Sequence, residues 1–78
     1  RRQLRAEVWY DDRSDPQWPG WCLRRFWQDG SQDDTPLDEV DEANEAEAIG
    51  EARRRYLQDE CPLYVMNPGG GPEGRLVA

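Results

Sequence analysis

The sequence has no histidine and no lysine; all ten basic residues are arginine. Without histidine there is no imidazole base, no Ser-His or Cys-His nucleophile and no histidine-bound metal. Without lysine there is no Schiff-base chemistry and no Walker-type phosphate lysine. The two cysteines, Cys22 and Cys61, are too few for a four-thiolate zinc site. Leu, Ile, Val and Phe together number only twelve in 78 residues. At a net charge of -7 that composition borders on disorder. Four Trp and three Tyr oppose it, because each ring buries a large area. No apolar run nears the roughly 20 residues that span a bilayer, and no signal peptide is visible. We therefore expect residues 1–78 to form one small cytoplasmic domain, not an enzyme, with no cofactor, no metal and no membrane partner.

Charge is unevenly placed. Asp29 to Glu51 holds ten acidic residues and no basic one; the remainder holds seven acidic and ten basic. The acidic block alone sets the low pI, and we expect residues 29–43 to be an acidic loop inserted in the domain.

Leu4, Ala6, Val8 and Tyr10 alternate with Arg5, Glu7 and Trp9, the period of a half-buried strand. Asp11 to Gly20 is turn chemistry, with Ser-Asp-Pro and Pro-Gly. Trp21 to Gln28 alternates again and reads as a second strand, ended by Asp29-Gly30. Thr35-Pro36 has the form of a helix start. Val40 and Ile49, however, are nine positions apart and fall on opposite sides of one continuous helix. The spacing therefore predicts a start at Asn44, with Glu47 completing a capping box. Ile49, Ala52 and Tyr56 share a face, flanked by Ala46, Ala48 and Leu57. Gly50 weakens such a helix, and the expected benefit is close approach to the sheet. Cys61-Pro62 stops the helix. Leu63 to Asn67 is a third strand, residues 68–74 a Gly-rich turn, and Arg75 to Val77 a possible last strand. The expected fold is α+β: a small antiparallel sheet with one helix packed on one face, in the order β-β-α-β with a possible final β.

This pattern resembles a small uncharacterised bacterial and phage family of β-β-α-β domains. The matching pieces are Gly20-Trp21-Cys22-Leu23, Asn44-Glu45-Ala46-Glu47-Ala48-Ile49 with Ala52-Arg53, and Leu63-Tyr64-Val65 with Gly71 to Arg75. The match runs from about Pro19 to Leu76 and implies an architecture rather than an activity. The chain departs from it in the acidic stretch Gln32 to Ala43 and in capping its helix with Asn rather than Thr. Thr35, Glu39 and Ala43 also echo the Thr-x-x-Glu helix of HicB-type antitoxins, but their usual Pro-Gly-Cys segment is missing.

Most chemistry-bearing groups have a plain structural reading. The carboxylate pairs Asp11/Asp12, Asp33/Asp34 and Asp41/Glu42 lack an apolar wall that would tune one for acid–base work. Asp29 to Asp41 lacks the alternating ligands, central Gly and terminal Glu of a calcium loop. Gly69 to Gly71 precedes Pro72, not the Gly-Lys-Ser/Thr of a phosphate loop. Cys22 has no activating base, and we expect both thiols to be free.

The open sheet face is the sharper case. If Leu4, Ala6, Val8, Trp21, Leu23 and Val65 face the helix, then Arg5, Trp9, Arg24, Phe26, Tyr64 and Met66 face outward with Cys22. Such aromatics and arginines suit a protein or self-association interface. They also suit single-stranded nucleic acid, which the -7 net charge disfavours. A third reading folds the acidic stretch over this face or stacks each arginine on a ring. A fourth makes the 29–51 stretch an acidic mimic of nucleic acid. The expectation is a non-enzymatic protein-binding or self-associating module, a homodimer among its forms, with Arg5, Trp9, Arg24, Phe26, Tyr64 and Met66 as its contact residues.

Overall fold

The computed structural model describes residues 2–12, 17, 19–66 and 74–77. Among the described residues five strands and one helix form an α+β fold: β1 (Gln3–Asp11), β2 (Gly20–Trp27), β3 (Gln32–Leu37), α1 (Glu45–Arg55), β4 (Leu63–Met66) and β5 (Gly74–Val77). The strands lie side by side as β3-β2-β1-β4-β5. The remaining parts of the Asp11–Gly20 and 68–74 turns lie outside the described residues.

The sheet is mixed, which corrects the antiparallel expectation. β1 pairs antiparallel with β2 but parallel with β4, Ala6 opposite Leu63 and Val8 opposite Val65. The reason is the helix. A parallel neighbour needs a crossover, and α1 provides it by carrying the chain from β3 past β2 and β1 to β4.

The second correction is β3, six residues from within the stretch expected as a loop. Trp27 to Ser31 makes a tight hairpin. Gly30 N–H donates to Trp27 C=O at 3.0 Å, and Trp27 N–H donates to Ser31 C=O at 2.9 Å. Gly30 takes φ 87°, where a side chain is strained, and the Asp29 carboxylate accepts from Ser31 N–H. This turn sets Asp33 opposite Arg25 and Asp34 opposite Arg24. Two charge-matched cross-strand pairs hold an otherwise polar strand in register.

Alternation along β1 is broken once. A bulge between Gln3 and Arg5 pushes Leu4 outward, 53% exposed, where the alternation had it facing the helix. Gln3 turns inward instead. Its side-chain amide donates to Tyr56 C=O at 2.7 Å, and its carbonyl oxygen accepts from Gln58 N–H at 2.7 Å. Those are groups just past the end of α1, where helix carbonyls lack intrahelical partners.

The helix begins where the spacing predicted. The Asn44 side chain accepts from Glu47 N–H at 3.2 Å and donates to the Glu47 carboxylate at 2.8 Å. Ala48 and Ala52 are fully buried over the sheet, with Ile49, Tyr56 and Leu57 at the margin. Below them lie Ala6, Val8, Trp21, Leu23, Leu37, Leu63 and Val65, joined by Cys61. Gly50 does not serve close approach: a Cβ there would meet nothing within 4 Å.

Candidate functional site

The pleat puts Arg5, Trp9, Arg24, Phe26, Tyr64 and Met66 on the face opposite α1, as the alternation predicts. They divide into three groups. Arg5 lies over the Phe26 ring, its guanidinium carbon 4.4 Å from the centroid. Arg24 lies over Trp9 at 5.3 Å. Tyr64 and Met66 are half-buried on β4, and Tyr64 pairs with Leu76 on β5.

Trp9 is only 7% exposed, so this chain covers most of its own tryptophan. Leu76 is 60% exposed and enlarges the apolar surface beside Tyr64. Leu76 was missed because a four-residue strand at the end of a Gly-rich turn gives too short an alternation to assign a face.

The arginines of this face are not available as a cationic track. Arg24 grips Asp34 with two bonds, Nε to Oδ1 at 2.7 Å and Nη2 to Oδ2 at 3.0 Å. That hydrogen bonding raises the Arg24 pKa further above its ordinary value. Arg5 is 3.6 Å from the Glu7 carboxylate. A surface for single strands needs uncommitted positive charge along its length, and here each arginine has a carboxylate beside it.

Cys22 shares the open face, half-buried. Burial first, then the Asp34 and Asp11 carboxylates, push its thiol up to about 11 against the pull of Arg24. Burial raises Cys61 as well, opposed by Arg53. Both cysteines are free, and both are protonated at neutral pH, which makes them poor nucleophiles.

The acidic stretch is largely engaged within the molecule. Asp33 accepts from Arg25 Nε at 2.7 Å and from the Trp27 indole N–H at 3.0 Å. Glu45 pairs with Arg75 at 2.5 Å, and Glu51 pairs with Arg54 and Arg55. Asp38, Glu39, Asp41 and Glu42, in the turns between β3 and α1, are exposed and have no ion-pair partner among the described residues. Asp33 and Asp34 were readable in principle. Asp29-Gly30 is a hairpin signature, and Arg24-Arg25 and Asp33-Asp34 mirror one another across it.

Among the described residues no group of three His, Cys, Asp or Glu could hold a metal ion, and no helix is long and apolar enough to cross a membrane. Comparison with protein-family models, with curated proteins and with solved structures gave no match.

Proposed function

We propose that this domain is a non-enzymatic protein-binding or self-associating module whose contact lies on the β4–β5 half of the open face. One observation carries the reading. Leu76 stands exposed beside Tyr64 on a strand whose outer edge pairs with no described strand. An edge strand with an apolar flank is a ready template for another strand, from a second copy or from a different chain. Self-association is the form to test first. The exposed carboxylates Asp38, Glu39, Asp41 and Glu42 lie beyond the far edge of the sheet, after β3, so two copies meeting at β5 keep their like charges apart. Trp9 and Arg24 then support the face from below, while Tyr64, Met66 and Leu76 make the contact. A cytoplasmic setting suits the two free thiols. Kinship with the bacterial and phage β-β-α-β family belongs to the same proposal.

Analytical ultracentrifugation over a wide concentration range tests it. Wild type should dimerise, and Leu76→Asp should remain monomeric while its thermal midpoint stays within a few degrees. A wild type that stays monomeric at every concentration overturns self-association.

A further inference from the structure

A second surface lies at the other side of the sheet. A groove of about 280 Å³ runs past the start of β2 and the turn after β3. Its walls include Trp21, Pro36, Leu37 and Val40, and its rim carries Asp38 and Glu39. The volume falls just below the usual range of small-molecule clefts, roughly 300–1,000 Å³, and suits a side chain or two rather than a cofactor.

The walls are held firmly. Trp21 donates its indole N–H to Asp41 C=O at 2.8 Å and meets the Tyr10 ring edge-on at 5.8 Å. Leu37 and Trp21 belong to the buried core, and Val40 packs against it. The groove is therefore a fixed feature between the strand end and the turn, and closing it would require moving the core.

Among the described residues its charged lining is acidic: Asp11, Asp38 and Glu39. Among the described residues Asp38 and Glu39 on the rim have no ion pair, nor do Asp41 and Glu42 next to them, whereas Asp33, Asp34, Glu45 and Glu51 each hold an arginine. The negative potential reaches the neighbouring ring: after burial, Glu42 and Asp12 are what raise the Tyr10 phenol.

We propose that this groove binds a segment of another protein that sets an arginine or lysine beside an apolar side chain. The apolar part would lie against Trp21, Leu37 and Val40, and the cation between Asp38 and Glu39. An apolar wall with an anionic rim is complementary to that pairing and repels an acidic one. The site does not depend on the β4–β5 contact, and each can fail without the other.

The test uses the whole chain and two synthetic peptides. One alternates leucine and arginine; the other has citrulline in place of each arginine, which keeps shape and removes charge. Binding is followed by the NMR shifts of the Trp21 indole N–H and the Val40 methyls. The arginine peptide should move both signals and the citrulline peptide neither. Asp38→Asn with Glu39→Gln should weaken binding by about threefold to tenfold, the scale of two exposed ion pairs. Asp59→Asn with Glu60→Gln removes the same charge near the start of β4, at the opposite end of the sheet, and should leave binding unchanged. Both carboxylate pairs are exposed and outside strands and helix, so an unchanged dispersed spectrum will report that each variant folds. Equal weakening by the two double variants overturns the site, because attraction would then follow total charge. So does binding of the citrulline peptide, or failure of the arginine peptide to move Trp21 and Val40.

Discussion

The two edges of the sheet are built on opposite plans. β3 carries Pro36, which cannot donate to a further strand, and two aspartates tied back to arginines of β2. β5 carries Gly74, Arg75, Leu76 and Val77, with one charge, already paired to Glu45 on the helix. A proline and charges on an edge strand discourage pairing with another chain, while an apolar edge invites it. One side of this sheet is closed by its own composition and the other is left usable. Two of the acidic residues, Asp33 and Asp34, thus serve as edge protection and as partners for β2.

The largest effect should come from removing what anchors β3. Asp33→Ala takes the partner from Arg25 and the acceptor from the indole of the buried Trp27. It should cost about 1–3 kcal/mol, the range for stranding partly buried donors. Urea unfolding measures it, and a loss below about 0.5 kcal/mol would mean that β3 is held by its backbone alone.

Gly50→Ala should act in the other direction. The helix bridges the two halves of the sheet, and its glycine has open space around the missing Cβ. The substitution should add about 0.5–1 kcal/mol. A destabilised variant would mean that α1 sits too close to its neighbours to admit a methyl at position 50. It would also restore the packing role that the glycine suggests in the sequence.

The smallest effect should separate the two aspartates of β3. Arg24 and Asp34 form a bidentate pair on the solvent side, with 35% and 47% of their side chains exposed. A double-mutant cycle with alanine at each position should give a coupling of about 0.2–1 kcal/mol that shrinks in high salt. A coupling as large as the Asp33 effect would make the open face, not the core side, the main anchor of this edge.

Much of this architecture was legible in the chain. Asn44 and Glu47 marked the helix start because capping is local chemistry, complete within four residues. β1, β2 and β4 were legible because one buried face leaves a period of two. β3 was not, since Asp33, Asp34 and Thr35 look solvated until Arg24 and Arg25 are placed opposite them. The parallel pairing of β1 with β4 was hidden for a related reason: no local pattern names a neighbour fifty-seven positions away. Alternation also gathered the six open-face residues correctly onto one side. It could not tell which of them the chain covers, because the shielding of Trp9 depends on how Arg24 packs over it.

The central place of β1 has a consequence for how the molecule assembles. One flank of β1 is satisfied by β2 after a nearby turn. The other waits for a strand that follows β3 and the whole helix. During synthesis the meander of β1, β2 and β3 emerges with one side of its first strand unfilled and the underside of Val8 and Leu23 uncovered. Bringing Leu63 to Ala6 closes a long loop, and contacts so distant in sequence slow folding. Until α1 and β4 arrive, the vacant flank of β1 is a second open edge, present only in the nascent chain, and the fold abolishes it on completion.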